Sequence, residues 1–394
     1  MVTFGACEWV RRSLQALVEN TPPVYELIIV DNGSTDGTLG LLRNELRGAR
    51  VHLSGENLGF GMGNNLAAAH ARGEHLCFLN SDAIVPPGWL DPLVAAFDDP
   101  LVASVSPMLV YPDGTVQEAG AIVEPDGRVI ALGRFSDPDS LDNALLGPIT
   151  FASAACLLVR RSAFERVGGF DPLYGTAYYE DVDLMFELQS LGLRLVVDPS
   201  VRVLHAQGAS SPSSDTAAER IRSNQERFSE RWARTLHGRP VVFAAPEPHH
   251  AAAARDFDLC DRALVVCAGL PDPPASGDST ASAIEALRDR LRDGRVTLAS
   301  LDDTLSRSAA AAWLARGVEV VIGPDIEDWL QRHLFHYAAI MLGPGVAERA
   351  GGRLGDALRE HQPQAVVSTL HVHPVERDAL DRDLLSLGLV PRSV

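Results

Sequence analysis

Four positions carry side chains that can do chemistry at the places where an α/β sheet presents residues to a ligand. Asp31 closes the apolar run 26–30 and opens the turn Asp31-Asn32-Gly33-Ser34-Thr35-Asp36-Gly37. A carboxylate there can accept hydrogen bonds from a nucleobase or ribose, or it can serve the turn alone. Asp82 ends Asn80-Ser81-Asp82 after the run 75–79, where it offers a hard oxygen ligand to a divalent cation, or a cap to a turn. Glu180-Asp181-Val182-Asp183 places three carboxylates at a helix start, where free N–H groups and the helix dipole favour anions. Three acids after Tyr178 and Tyr179 exceed what capping requires, which points to a general base among them. His205 follows the apolar run 201–204 and reads as a metal ligand or a surface histidine. A carboxylate and a histidine on a cation, with a separate base beside an acceptor, is the set a metal–diphosphate site needs.

These positions fall at the ends of predicted elements. Strands are expected at 2–4, 26–30, 51–53 and 75–79, alternating with helices at 9–19, 38–46 and 63–72. Strands that feed helices through polar turns make a parallel sheet with its ligand site at the carboxyl edge. From about 107 to 133 the sequences Pro-Asp-Gly and Glu-Pro-Asp-Gly break short apolar runs into hairpins. Helices are expected at 162–167 and 182–191, strands at 193–197 and 201–204, a loop at 209–215, and a polar helix at 216–236 carrying Phe228 and Trp232. The Pro-, His- and Ala-rich stretch 237–261 reads as a linker. Beyond it strands at 263–267, 296–299, 318–322, 338–342 and 365–369 alternate with helices at 279–291, 306–316, 326–333 and 346–361, the pattern of a Rossmann-like parallel α/β domain. The expected domains are therefore 1–236 and 262–394.

With 394 residues the chain has room for two domains. Hydrophobic residues at 46% and charged residues at 22% exclude a disordered or fibrous chain. The net charge of −18, with every basic residue an arginine, disfavours nucleic acid as a partner. The five cysteines are scattered with no metal-type spacing and read as thiols of a reducing compartment. No run is long enough to span a bilayer and no leader precedes the first strand, so a cytoplasmic protein is expected, at most peripheral at the inner face of the membrane.

The motifs resemble family-2 glycosyltransferases of the GT-A fold. The matching blocks are Val2-Thr3-Phe4, ELIIVDNGSTDGT (26–38), ENLGFGMGNN (56–65), FLNSDAIVPPGWL (78–90), DGTVQEAG (113–120), ACLLVRRSAFERVGGFD (155–171), YYEDVDL (178–184) and HAQGAS (205–210). They keep the family's order across about residues 1–236. The resemblance implies a GT-A domain of mixed, mostly parallel sheet that inverts the anomeric carbon as it moves a sugar from a nucleotide-diphosphate donor to an acceptor hydroxyl. It assigns Thr3, Phe4, Asp31, Asn57 and Ser81 to the donor nucleotide, Asp82 and His205 to Mg²⁺ or Mn²⁺, Asp181 to the catalytic base, and Glu180 and Asp183 to its support. DGTVQEAG is similar to rhamnosyltransferases of cell-surface polysaccharide assembly, which implies a TDP-rhamnose or UDP-sugar donor and a saccharide or lipid-linked acceptor.

Three departures accompany it. The family's first strand begins several apolar residues earlier, which implies a clipped strand or a start upstream of Met1. Asn80 stands where the family's D-x-D motif has its first acid. Glu187 stands where an arginine is usual, and its loss is expected to raise the pKa of the base through like-charge crowding. Residues 262–378 resemble the N-terminal, acceptor-side half of a GT-B glycosyltransferase, which implies an accessory or acceptor-binding domain; Gly269-Leu270-Pro271 replaces a G-x-G-x-x-G turn there. His371 and His373 read as surface residues. Two other readings stay open: a non-catalytic nucleotide-sugar-binding protein with a degenerate site, and a nucleotidyltransferase, which Gly5-Ala6-Cys7-Glu8 disfavours for want of a basic glycine-rich loop.

Overall fold

The computed structural model of the chain describes residues 1–143, 147–208, 214–239, 241, 262–272, 279–291, 295–302, 307–314, 316–323, 325–337, 339–343, 346 and 366–369. Residues 209–213 of the expected loop 209–215, most of the linker, the C-terminal helix beyond 346 and both His371 and His373 lie outside these residues. Two compact units form, residues 1–138 with 148–241, and residues 139–147 with 242–394.

In the first unit, in chain order, lie β1 (Val2–Thr3), α1 (Cys7–Asn20), β2 (Ile28–Asp31), α2 (Thr38–Asn44), β3 (Arg50–Leu53), α3 (Gly59–Ala68), β4 (His75–Leu79), β5 (Ala83–Ile84), α4 (Leu90–Ala95), β6 (Val102–Val110), β7 (Val116–Glu118), β8 (Ala121–Val123), β9 (Val129–Ala131), β10 (Gly147–Ile149), β11 (Cys156–Arg160), α5 (Arg161–Val167), α6 (Glu180–Ser190), β12 (Arg194–His205), α7 (Ser214–Arg231) and α8 (Ala233–Leu236). This is the mixed α/β arrangement that the GT-A resemblance implies. The strands divide into a parallel sheet β1-β2-β3 and a mixed sheet ordered β10-β12-β6-β11-β4, with β5 on β12 and β7 on β6. The division follows from β1, whose two residues pair only with Val30 and Asp31. An apolar cavity of about 600 Å³, lined by Met1, Ile28, Ala67, Phe78 and Trp89 among others, opens between β2 and β4.

Three elements differ from expectation for local reasons. The two strands expected at 193–197 and 201–204 are one, β12, with a register shift against β6 between Asp198 and Arg202. Pro199 has no N–H to give the ladder there, and Asp198 Oδ1 accepts the N–H of Ser200 at 2.9 Å. The helix expected at 63–72 begins at Gly59, and that expected at 216–236 breaks at Trp232, whose φ of −102° and ψ of 16° separate α7 from α8. Aromatic packing fixes α7 to the core. Phe228 is fully buried, 5.5 Å from the Tyr179 ring and 4.9 Å from the Phe186 ring, with Trp232 5.4 Å from Phe186.

The second unit contains β13 (Arg262–Cys267), α9 (Ser279–Arg290), β14 (Arg295–Ser300), α10 (Arg307–Leu314), β15 (Val318–Ile322), α11 (Ile326–His333), β16 (Ala339–Leu342) and β17 (Val366–Thr369). Its five strands are all parallel in the order β15-β14-β13-β16-β17. Ala263, Val265 and Cys267 pack into a cluster with Trp313, while Leu264 and Val266 pack into another with Trp329. A sheet buried on both faces needs such continuous apolar strands. The expected boundary leaves out residues 139–147, which belong to this unit: Leu141 enters the Trp329 cluster and Asp142 accepts from Arg332 at 2.5 Å.

Gly59 has a φ of +84°, and a Cβ built on it would lie 2.5 Å from the Thr176 Cα. The close approach lets Phe60 N–H reach the Thr176 carbonyl at 2.8 Å. Gly59→Ala is therefore expected to lower the unfolding free energy by at least ~1 kcal/mol, read from denaturant titration; an unchanged midpoint would mean that 57–60 and 174–178 do not pack in solution as described.

Candidate functional site

At the end of β2, Asp31 is 2% exposed. Its Oδ1 accepts from Thr3 Oγ1 at 3.0 Å and from the Ser34 hydroxyl, and its Oδ2 accepts from Ser34 N–H at 3.1 Å. The parallel register sets Thr3 against Asp31 and makes the first contact. Asp31 thus anchors the turn from behind, and the exposed surface beside it belongs to Phe4, 44% exposed, and to Asn57. Asn57 Oδ1 accepts from Gly59 N–H at 2.9 Å, and Asn32 Nδ2 donates to the Gly59 carbonyl at 2.9 Å, so the turn after β2 and the start of α3 are pinned together.

Asp82 precedes β5 and His205 ends β12, and these strands pair antiparallel with His205 opposite Ala83. That register brings Asp82 Oδ1 to 3.3 Å from His205 Nε2. Both side chains are buried, as is Ser81. Asn80 Nδ2 donates to the same imidazole nitrogen at 3.1 Å, and His205 Nδ1 meets Gln117 Oε1 at 2.7 Å. A separation of 3.3 Å is close to that of two adjacent ligands on an octahedral Mg²⁺ or Mn²⁺, about 3 Å for bonds near 2.1 Å. Among the described residues no group of three or more His, Cys, Asp or Glu is placed to hold an ion. One carboxylate and one imidazole fit a cation that takes its remaining ligands from phosphate oxygens and water.

Asp181 stands in the first turn of α6, half-buried. Its Oδ1 accepts from Val182 N–H at 2.9 Å and its Oδ2 from Ala154 N–H at 3.2 Å. The preceding N–H, that of Ser153, donates to Glu118 Oε1 at 2.7 Å, and the Ala155 carbonyl accepts from Asn80 N–H at 2.8 Å. Three consecutive residues therefore hold the base candidate, a second acid and the metal-site turn. Burial lifts Asp181 above the ordinary aspartate range. Burial, then the charge of Asp181, pushes Glu180 up to about 8, and its Oε2 has no hydrogen-bond partner. Burial above all pushes Glu118 up to about 7, with Asp181 adding to it and Ser153 N–H and Arg134 opposing.

The site thus joins Asp82 with His205 directly and Asp181 with Glu180 and Glu118 as neighbours; Asp31, Thr3 and Asn57 form a separate cluster. Asp183 is fully engaged elsewhere: its Oδ1 accepts from Tyr174 Oη at 2.9 Å and Trp232 Nε1 at 2.7 Å and lies 3.3 Å from Arg231 Nε. The guanidinium expected at 187 arrives from α7 instead, since Arg231 also pairs with Glu187 and Asp171, each at 2.6 Å. Its single positive charge is shared among Asp183, Asp171 and Glu187, so Glu187 has a cationic partner within that cluster, and the upward push on Asp181 comes from burial. Sequence reasoning missed four residues. Gln117 and Glu118 lie within the DGTVQEAG block, which was the available signal. Arg231 and Asn224 sit on α7 with none. Asn224, 2% exposed, donates through Nδ2 to the carbonyls of Tyr174 at 2.8 Å, Ala177 at 3.1 Å and Tyr178 at 2.8 Å. This clamps the segment in which Tyr178 and Tyr179 take φ values of 76° and 75°, a left-handed conformation that costs bulky residues free energy.

Raising Glu118 from 4.5 to about 7 has a consequence for stability. Below pH 4.5 the carboxyl is neutral folded or unfolded; above it the unfolded chain ionises first, and the stability of the neutral buried form is lost as pH rises through about 7. The difference is worth ~3 kcal/mol. Glu118→Gln, which keeps the acceptor for Ser153 N–H, should match the wild-type unfolding midpoint near pH 4 and exceed it by several degrees at pH 8; superimposable curves would place this carboxyl in water.

Against known proteins, the model of the family described as Glycosyl transferase family 2 matches residues 1–168. The N-acetylglucosaminyl-diphospho-decaprenol L-rhamnosyltransferase of Mycobacterium tuberculosis is 32% identical over 244 residues, 55% of this chain and 79% of that protein. The O-antigen biosynthesis protein RfbC of Myxococcus xanthus is 34% identical over 203 residues, and an uncharacterized protein, y4gI, of Sinorhizobium fredii is 30% identical over 246 residues. These matches take in 49% and 60% of this chain, and the chain spans only 16% and 27% of those two relatives. The coverage of the mycobacterial relative and the family match over the strands that carry Asp31 and Asp82 make one assignment: this chain belongs to glycosyl transferase family 2.

Proposed function

We propose that the first unit transfers a sugar, with inversion, from a nucleotide-diphosphate donor to a hydroxyl of a saccharide or lipid-linked acceptor in cell-surface polysaccharide synthesis. The observation that carries this reading is the run Ser153–Ala155, whose backbone ties Asp181 and Glu118 to the turn bearing Asp82. The name of the mycobacterial relative, an L-rhamnosyltransferase of N-acetylglucosaminyl-diphospho-decaprenol, supports a lipid-linked acceptor and a rhamnosyl donor; TDP-rhamnose or a UDP-sugar is the donor class of this reading. No helix among the described residues is long and apolar enough to cross a membrane; a lipid-linked acceptor would be met at the inner surface of the cytoplasmic membrane.

In this reading Phe4, Asn57 and Ser81 meet the nucleotide, with Thr3 and Asp31 fixing the turn beneath it. Asp82 and His205 would hold Mg²⁺ or Mn²⁺, whose charge would offset that on the leaving diphosphate. Asp181 accepts the proton of the attacking hydroxyl as its oxygen bonds to the anomeric carbon and the bond to the diphosphate breaks. Glu180 and Glu118, pushed up to about 8 and about 7, retain protons nearer neutrality than ordinary carboxyls, which lessens the negative charge gathered around Asp181. The backbone N–H groups of Ala154 and Val182 hold that charge in place. The second unit is read as an accessory, non-catalytic part.

Thermal unfolding against UDP, TDP and GDP, each with and without Mn²⁺, should show a midpoint rise for one diphosphate that needs the metal and disappears in Asp82→Ala. Asp181→Asn should keep that shift and lower transfer by several orders of magnitude. Metal-independent shifts would remove the cation from the site, and diphosphate binding without turnover in the wild type would make the chain a binding protein.

A further inference from the structure

The strand β7 carries a feature that the metal site needs and that its ligands do not supply themselves. β7 pairs antiparallel with β6, Val116 opposite Val110 and Glu118 opposite Leu109, so Gln117 is the extra residue of a bulge. Bulges re-aim side chains, and they recur beside active sites. Gln117 is 6% exposed, and its amide is held at both ends. Its Nε2 donates to Gln207 Oε1 at 3.3 Å, and its Oε1 faces His205 Nδ1 at 2.7 Å. Gln207, two residues past His205, has a φ of +54°.

An amide oxygen can only accept, so the short contact requires a proton on Nδ1. In a neutral imidazole that leaves the lone pair on Nε2, the nitrogen facing Asp82 Oδ1 at 3.3 Å and Asn80 Nδ2 at 3.1 Å. A histidine binds a metal only through a deprotonated nitrogen, and the partner of its other nitrogen selects which one that is.

We propose that Gln117 is the positioning residue of the cation site: it fixes the Nδ1–H tautomer and ring orientation of His205, so that Nε2 and Asp82 face one divalent cation together. Gln117 itself touches neither cation nor sugar. The inference deepens the metal-dependent transferase reading and rests on it. It also gives the bulge in β7 a purpose, since regular alternation would turn residue 117 to the face opposite that of Val116 and Glu118.

The test uses the full-length protein with UDP and Mn²⁺, following free Mn²⁺ by electron paramagnetic resonance. Asp82→Ala should abolish UDP-dependent Mn²⁺ binding. Gln117→Leu should weaken it by about 10-fold or more, and Gln117→Glu, whose carboxylate still accepts from Nδ1–H, should bind within about threefold of wild type or tighter. In the metal-free wild type, ¹⁵N shifts of His205 should report Nδ1 protonated and Nε2 bare; this reading does not depend on how a variant folds. Wild-type Mn²⁺ binding that is lost in Asp82→Ala but kept in Gln117→Leu would overturn the role of Gln117 alone, as would an Nε2–H tautomer. No UDP-dependent Mn²⁺ binding in the wild type, or binding that survives Asp82→Ala, would instead overturn the metal site and the reading beneath it.

Discussion

The site depends on the backbone of Ser153, Ala154 and Ala155. Two successive N–H groups hold one oxygen each of Glu118 and Asp181, and the next carbonyl holds the N–H of Asn80. Backbone donors are well suited to this task, because their positions are fixed by covalent geometry and they carry no side-chain entropy. The small residues at 152–155 are what let three other elements approach so closely: Ala152, Ala154 and Ala155 are buried, and β11 begins at Cys156 in register with Leu79 of β4. A bulkier side chain in this run would displace the acids or the turn that bears Asp82, and the spacing between Asp181 and that turn would change with it.

What the sequence reveals and what it conceals divides along sequence distance. Polar residues at strand ends and helix starts are legible because their neighbouring turn residues are local, so Asp31, Asp82, Asp181 and His205 all stand out. The pairing of Asp82 with His205 depends on β5 lying against β12, 123 positions apart, and no local pattern announces it. Asp31 shows the converse: its motif is plain, but the structure turns its carboxylate inward to Thr3 and Ser34. The missing arginine at 187 looked like a lost charge. The ionic cluster is in fact complete, with Arg231 of α7 serving Asp171, Asp183 and Glu187 together. A sequence position emptied of a residue type says little when a distant helix can deliver the same group in space.

The acids around Asp181 illustrate how burial and placement outweigh count. Asp183 is surrounded by three donors and stitches α6 to α7, whereas Glu180 is nearly as buried and leaves one oxygen without a partner. An unpartnered buried oxygen is tolerable for a neutral carboxylic acid and expensive for a carboxylate, which agrees with the upward push on Glu180. Carboxyl groups within four residues thus divide into one held by three donors, one with an unpartnered oxygen and one held by two backbone N–H groups.

The helix after β12 holds the candidate site as much as the sheet does. The family match ends at residue 168, before Asp181 and His205. The tyrosines that precede Asp181 are held in left-handed conformations, and free energy of order 1–3 kcal/mol each is needed to keep them there. The holding groups are Asn224 on the carbonyls of 174–178 and Phe228 against Tyr179, both from α7, with the Tyr179 hydroxyl donating to the Gly127 carbonyl at 2.9 Å. Phe228 also needs Gly127, where an added Cβ would lie 3.2 Å from its ring. The position of the candidate base is therefore set by a helix that begins more than thirty residues after it, and the packing that holds Asp181 in place extends into α7.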